Sequence, residues 1–68
     1  MKNTIKVERA KNNLTQADLA EKVGVSRQTI NSIEKNRFIP STLLSLKIAS
    51  IFDIPVDMLF ALESDDWD

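Results

Sequence analysis

The sequence contains no cysteine and no histidine, and only one of its residues is a glycine. Without cysteine, neither a disulfide nor a thiolate metal site is available. Without histidine, the chain lacks the usual proton shuttle at neutral pH and the commonest metal ligand. A glycine-rich phosphate loop also requires more than one glycine. We therefore expect a protein that is not an enzyme and that uses no cofactor and no metal.

At 68 residues the chain is long enough for one domain, and we assign residues 1–68 to it. A domain of this size buries only a modest core, so a partner subunit is the most accessible source of further stability. No apolar run approaches the roughly 20 residues that span a bilayer, and no signal peptide is recognisable. The expected location is the cytoplasm, without contact to a membrane.

One glycine and two prolines interrupt the chain, and no segment alternates convincingly with a period of two, which favours an all-α fold. Five helices are predicted. A weakly amphipathic first helix covers about residues 4–12, and the next two cover residues 16–23 and about 27–35. The fourth follows a cap at Ser41 and continues to about residue 52. Pro55 begins a short fifth helix, which extends to about residue 60.

The second and third helices have clear boundary signals. Thr15 is placed to cap the second helix, and Asp18 stands three residues later, as in a capping box. Gly24 follows that helix where a left-handed residue is needed, and Ser26 caps the third helix. Two short helices joined by a turn of about three residues have the spacing of a helix-turn-helix.

The charges are divided unevenly along the chain. Residues 1–52 hold nine basic and four acidic side chains, a net charge of +5, whereas residues 53–68 hold six acidic and no basic ones, a net charge of −6. A basic body that meets a polyanion, with an acidic tail over residues 61–68 held away from it, explains the division. A solvated helical protein with a disordered acidic end explains it equally well.

The third helix is polar over much of its surface. At about 100° per residue, its polar side chains share an arc of roughly 140°, and Ile30 and Ile33 lie on the opposite side. Arginine suits guanine, glutamine or asparagine suits adenine, and serine suits either base. The outer face of any solvated helix has a similar composition, so this pattern alone leaves both interpretations open. The arc comprises Arg27, Gln28, Asn31, Ser32 and Lys35.

The combination of motifs is more specific. The segment "TQADLAEKVGVSRQTINSIEKN" resembles the helix-turn-helix of the lambda-repressor-like family, the Cro and repressor type of DNA-binding domain. The segment "PSTLLSLKIASIFDIPVDMLF" resembles that family's fourth and fifth helices. The resemblance covers roughly residues 5–60 and implies a five-helix, all-α DNA-binding domain. It also allows the two chain ends to pair as short strands.

The resemblance implies a role for each matching position. The partners implied are double-stranded DNA and a second copy of the chain. Gln16 stands at the N-terminus of the second helix, and a helix N-terminus attracts phosphate through its free N–H groups. Arg9 and Glu34 match a pair that forms a partly buried, structural ion pair. The residues expected to contact bases are Arg27, Gln28, Ser32 and the neighbouring Asn31. The residues expected to contact phosphates are Gln16, Thr29, Lys35, Asn36 and Arg37.

Two positions depart from the family pattern. Glu8 stands where an apolar residue is usual, so either Val7 replaces it on a shifted helix face or Glu8 is exposed or paired. Thr42 and Leu43 are reversed relative to the usual apolar-polar order. Both departures concern local packing and leave the third helix unaffected.

The resemblance predicts a transcriptional regulator, acting as a repressor and as a homodimer on a pseudo-palindromic operator. The expected dimer surface contains Phe60, Leu62 and Trp67, although Phe60 can instead close the core and Trp67 can be loose. Two alternatives remain. An antitoxin would also bind a toxin protein, and a protein-interaction module would not need Arg27 and Gln28. A regulatory protein partner is compatible with a transcriptional regulator and with an antitoxin.

Overall fold

The computed structural model describes residues 1–68, which form five α-helices, a two-stranded antiparallel sheet and a final 3₁₀ helix. The all-α class predicted from the sequence is confirmed, and so are the short terminal strands that the resemblance allows. In chain order the elements are β1 (Lys2–Asn3), α1 (Ile5–Lys11), α2 (Gln16–Val23), α3 (Arg27–Glu34), α4 (Thr42–Phe52), α5 (Val56–Leu59), β2 (Phe60–Ala61) and the 3₁₀ helix (Ser64–Trp67).

The predicted caps define the helix-turn-helix. The Thr15 hydroxyl accepts a hydrogen bond from the Asp18 backbone N–H at 3.0 Å, and the Asp18 carboxylate accepts one from the Thr15 N–H at 3.0 Å. Gly24 ends α2 in the left-handed conformation, with φ of 78°. Ser26 then caps α3 by accepting from the Thr29 N–H at 3.1 Å. Local hydrogen bonds therefore determine where both helices begin.

Three predicted helices were one residue too long at one end or both. The first helix begins at Ile5 and ends at Lys11, and α3 ends at Glu34. The short helix α5 ends at Leu59 because Phe60 is extended, with φ of −119° and ψ of 141°, and pairs with Asn3. Pairing between β1 and β2, distant in sequence, therefore ends α5.

The core contains eleven apolar residues from all five helices and from β2. The α3 side chains Ile30 and Ile33 are fully buried in it, as the helical periodicity predicts. Burial of these two residues fixes how α3 is rotated about its axis, and so determines which of its side chains face solvent. The core residues are Ile5, Leu19, Ala20, Val23, Ile30, Ile33, Ile48, Ala49, Phe52, Leu59 and Phe60.

The structure decides both departures from the family pattern. Val7 is exposed, so α1 is not rotated to bury it. Glu8 is instead paired, because Lys11 one turn later donates to its carboxylate at 3.3 Å. On α4, Thr42 and Leu43 are both exposed. Neither departure disturbs the buried face of α3.

The chain ends meet at the terminal sheet. Asn3 stands opposite Phe60, and the Thr4 N–H donates to the Leu59 carbonyl at 3.0 Å. The Met1 ammonium group lies 3.2 Å from the Glu63 carboxylate and 2.9 Å from that of Asp66. The acidic tail is therefore attached to the body over part of its length. No helix of the chain has the length and apolar character needed to cross a bilayer.

Candidate nucleic-acid interface

The polar arc predicted for α3 lies on the solvent side of the helix. Arg27, Gln28 and Lys35 are exposed, and Asn31 and Ser32 are half-buried on the same face. Because Ile30 and Ile33 anchor the opposite side in the core, this face keeps a defined orientation. It offers two cations, two carboxamides and a hydroxyl on a helix, the combination that suits base edges in a major groove.

Gln16 connects this face to the start of α2. Its side-chain Nε2 donates to Asn31 Oδ1 at 3.2 Å and to Glu34 Oε1 at 3.1 Å. Its Oε1 accepts from Arg27 Nη1 at 3.3 Å. The structure therefore brings together a residue predicted to contact phosphate and two residues predicted to contact bases. One hydrogen-bond network sets the relative position of both helices of the motif.

The predicted ion pair between α1 and α3 is present. Arg9 Nε lies 2.7 Å from Glu34 Oε2, and Arg9 Nη2 donates to Glu34 Oε1 at 3.1 Å, so the contact is bidentate. Arg9 Nη1 also donates to the Leu14 carbonyl at 3.0 Å. Hydrogen bonding to Glu34 raises the pKa of Arg9, so the guanidinium stays charged. The pair is largely buried, and it holds Glu34 in position to accept the hydrogen bond from Gln16.

The loop after α3 is shaped by a left-handed residue. Asn36 has φ of 60°, its N–H donates to the Ile33 carbonyl at 3.0 Å, and the Arg37 N–H donates to the Ser32 carbonyl at 2.9 Å. These bonds satisfy carbonyls at the end of the helix, as in a Schellman-type ending. Lys35, Asn36 and Arg37, all predicted to contact phosphate, are exposed around this turn.

Asn3 is a residue of this region that sequence reasoning missed. Its Nδ2 donates to the Ile33 carbonyl at 2.9 Å and to Asn36 Oδ1 at 3.2 Å. Its Oδ1 accepts from the Ile5 N–H at 3.1 Å, which caps α1 in place of Thr4. The only sequence signal was an asparagine just before a helix. Its reach to α3, across 30 residues of sequence, depends on the fold.

A polar hollow opens beside α3, and no apolar side chain lines it. Three of the lining residues are basic and one is acidic, so the hollow has an excess of positive charge that favours an anion. Lys6, which the sequence did not single out, belongs to it. Neither Lys6 nor Lys35 forms an ion pair within the chain. The lining residues are Asn3, Lys6, Arg9, Gln16, Asn31, Glu34 and Lys35.

The remaining predicted site residues lie elsewhere. Thr29 is half-buried in the first turn of α3, where its hydroxyl lies 2.9 Å from that of Ser26. Phe60 is only 9% exposed and belongs to the core. Of the two roles considered for it, it therefore closes the core rather than offering surface to a dimer. Leu62 is 60% exposed and Trp67 is 76% exposed, so both offer apolar surface to solvent. The structure contains no group of three or more side chains arranged to hold a metal ion.

These features define a class of protein. Two short capped helices meet at a tight turn, and the second has its apolar side in the core and its polar side outward. The N-terminus of α2 and a loop with two exposed cations, Lys35 and Arg37, lie beside that outward face. This is the arrangement by which helix-turn-helix domains place a recognition helix in the major groove.

Comparison with known proteins agrees with that class. Residues 5–59 match the model of the helix-turn-helix family. An uncharacterised HTH-type transcriptional regulator of Methanocaldococcus jannaschii is 52% identical over 66 residues, which are 97% of this chain and 100% of that protein. The chain therefore belongs to the helix-turn-helix family, in its lambda-repressor-like branch, and is a DNA-binding transcriptional regulator.

Two solved structures share the fold. The restriction-modification controller protein C.AhdI from Aeromonas hydrophila is 28% identical, with a TM-score of 0.75 over 82% of this chain and 85% of that one. A complex of the SinR and SinI proteins gives a TM-score of 0.77 at 31% identity, over 94% of this chain and 63% of the matched chain. Both likenesses extend well beyond the helix-turn-helix itself.

Proposed function

We propose that this regulator is a sequence-specific repressor that binds double-stranded DNA as a homodimer on a pseudo-palindromic operator. The observation that carries the proposal is the outward face of α3, which is polar and held in place by burial of Ile30 and Ile33. Arg27, Gln28 and Ser32 read bases from this face, with Asn31 beside them.

Phosphate contacts set the register of that reading. Gln16 stands at the N-terminus of α2, where free N–H groups and the helix dipole favour an anion. Lys35, Asn36 and Arg37 follow the DNA backbone from the loop after α3, and Thr29 approaches it from the first turn. Lys6 adds a cation in the adjoining hollow.

A dimer is proposed because one recognition helix reads too few base pairs to select a site in a genome. Two copies related by a twofold axis read half-sites one helical turn apart, about 34 Å. The tail supports this proposal, since Leu62 and Trp67 remain exposed beside the terminal sheet. Binding at a promoter would then block polymerase, in the cytoplasm and without enzymatic activity.

A regulatory protein partner is a second element of the proposal. It is supported by the likeness to the SinR chain, whose solved structure is a complex with the SinI protein. The relatives and structures named above include no antitoxin, and nothing in the site favours that alternative.

The proposal is tested by selecting binding sites from a random duplex library with purified protein. We expect enrichment of an inverted repeat. The variant R27A/Q28A should lose that preference, because base-specific contacts each contribute about 1–3 kcal/mol of discrimination. Lys11→Ala is the matched control, since it removes one exposed positive charge from α1 and leaves the α3 face intact.

Each result has a separate meaning. Enrichment of a single half-site without a repeat would contradict the dimer and retain the reading face. If R27A/Q28A keeps the sequence preference of the wild type, the assignment of Arg27 and Gln28 to base contact is wrong. If neither protein enriches any sequence, the specific DNA reading proposed here is wrong.

A further inference from the structure

An apolar strip on the outer side of α4 has no partner in the fold. Leu43 is 65% exposed, Leu46 is 53% exposed and Ile51 is 37% exposed. These side chains line a groove between α2 and α4, and Lys22 and Lys47 border it. Exposed apolar surface framed by charged residues is typical of an interaction site.

The two lysines require a particular kind of occupant. The cations in the ion pairs of this structure are the Met1 ammonium, Arg9 and Lys11, so neither Lys22 nor Lys47 forms an ion pair within the chain. A segment that fills the groove must supply apolar side chains for the strip and carboxylates for its borders. An acidic segment with apolar residues meets both requirements.

The tail of the same protein has this composition. Leu62 and Trp67 are exposed and apolar, and neither Asp65 nor Asp68 takes part in an ion pair. The tail does not lie in the α2–α4 groove of its own chain, because the Met1 ammonium group holds it at the terminal sheet. A second copy can supply the segment instead.

A second apolar groove of the molecule is less suitable for this tail. It lies beside the terminal sheet, contains Asp57 and has no lysine or arginine in its lining. The Met1 ammonium also borders this groove, but it is already paired with Glu63 and Asp66 of its own tail. A second acidic segment would therefore meet Asp57 without a free cation, which opposes binding. Charge therefore selects the α2–α4 groove between the two.

We infer that the acidic tail of one protomer docks in the α2–α4 groove of a second copy, with Leu62 and Trp67 on the apolar strip and Asp65 and Asp68 near Lys22 and Lys47. Reciprocal exchange under a twofold axis forms the contact twice. Forming the contact twice doubles the area that it buries, and a stable interface needs ~1,200 Å² or more in total. The inference rests on the proposed homodimer and identifies its interface. None of the residues proposed to contact DNA lines this groove.

Charge reversal on each side tests the docking. The groove variant is K22E/K47E and the tail variant is D65K/D68K. Each is studied by analytical ultracentrifugation, alone and as an equal mixture, both free and on the duplex selected by the wild type. We expect each variant alone to raise the dimer dissociation constant by about tenfold or more. The mixture should recover wild-type association, because each groove then meets a tail of opposite charge.

Trp67 gives an independent signal, since it is the one tryptophan of the chain and there is no tyrosine. Its emission should shift to the blue, and its quenching by acrylamide should fall, as wild-type protein is concentrated. The variant K6E/K35E is the matched control for K22E/K47E, because it makes the same charge change on the DNA side. In the absence of DNA, it should dimerise as the wild type does.

The outcomes separate this inference from the proposed function. If the wild type and both variants dimerise equally, the tail does not occupy this groove, and the homodimer uses another surface. If the single variants fail to associate and the mixture does not recover, complementarity between tail and groove is also refuted. A wild type that is monomeric both free and on DNA would refute the homodimer together with this inference. Thermal unfolding of each variant, followed by circular dichroism, verifies that the variants are folded.

Discussion

At the scale of single residues, Glu34 joins three helices through one carboxylate. It belongs to α3, it accepts two hydrogen bonds from Arg9 of α1, and it accepts a third from Gln16 of α2. Its side chain is largely buried, as is that of Arg9, so solvent screens the pair less than an ordinary surface pair. Glu34 therefore stabilises the domain and also holds Gln16 in the position from which we propose that it contacts a phosphate.

Replacement of Arg9 or Glu34 leaves the charge of the other side chain largely buried and unpaired. We expect Arg9→Ala and Glu34→Ala each to lower the free energy of unfolding by about 1–3 kcal/mol. The double variant should lose clearly less than the sum of the two, because the second change removes a group already left unpaired. Urea unfolding of the four proteins measures this coupling. Strictly additive losses would show that the pair contributes nothing beyond its separate contacts.

At the scale of elements, the capping box of α2 depends on the charge of one side chain. Hydrogen bonding to Thr15 holds the pKa of Asp18 below its usual range. The larger effect comes from the Thr15 backbone N–H and the smaller one from the Thr15 side chain. A carboxyl group with a lowered folded-state pKa stabilises the fold above its unfolded pKa of about 3.9. That contribution disappears as the pH falls through the folded-state pKa.

The variant D18N isolates this effect. At neutral pH it should unfold at a lower temperature than the wild type, and the difference should disappear in acid, below the pKa of the folded state. Asp66 also has a lowered pKa, chiefly through the Glu63 backbone N–H, so the acid instability of the wild type alone does not identify Asp18. The measurement is the difference in melting temperature between the two proteins across this pH range. A difference independent of pH would contradict a role for the carboxylate.

The contact of Asn3 with α3 makes a second prediction at this scale. Asn3→Ala removes the donor to Ile33 and Asn36, so the loop after α3 loses a side-chain constraint. We expect DNA affinity to fall about three- to tenfold, near the ~1 kcal/mol of one hydrogen bond. Lys2→Ala, in the same strand, is the matched control. Affinity is measured on the selected operator duplex.

A double-mutant cycle with Asn36→Gly distinguishes positioning from general stability. Glycine keeps the left-handed backbone that Asn36 adopts, with φ of 60°, and removes only the side chain. If Asn3 acts through Asn36, Asn3→Ala should have little further effect in the glycine variant. Full additivity would mean that Asn3 influences DNA binding by another route.

At the scale of the whole molecule, a chain with a net charge of −1 has exposed cations around α3, on the side that we propose contacts DNA. The acidic residues are concentrated after residue 52, and the tail is attached to the chain start through Met1. The Glu63 and Asp66 carboxylates are therefore held at the chain start. The separation of charge, more than its sum, allows attraction to a polyanion.

Salt dependence tests this distribution. The logarithm of the DNA association constant should fall linearly with the logarithm of salt concentration, because bound phosphates release counterions. Lys35→Ala should reduce the magnitude of that slope by about one and weaken binding similarly on all sequences. Lys11→Ala should leave the slope unchanged. Titrations by fluorescence anisotropy over a range of salt concentrations give the slopes. An unchanged slope in Lys35→Ala would contradict the proposed contact between Lys35 and a phosphate.

The sequence by itself determined the features that depend on neighbouring residues. The capping box at Thr15, the left-handed Gly24 and the cap at Ser26 are interactions over a few residues, and they predicted α2 and the start of α3 to the residue. Periodicity predicted the burial of Ile30 and Ile33, and with it the outward face of α3. The pairing of Arg9 with Glu34 was also predicted, although only through the family resemblance.

Only the tertiary structure decided contacts between distant parts of the chain. Asn3 reaches Ile33 across 30 residues, Gln16 reaches Glu34 across 18, and Met1 reaches Asp66 across 65. The pairing of β1 with β2 likewise ended α5 before Phe60, where the local pattern continued the helix. Helix caps and periodicity act within a turn or two of helix, whereas these contacts depend on how the helices pack. Packing is a property of the whole core, so no short segment of sequence encodes it.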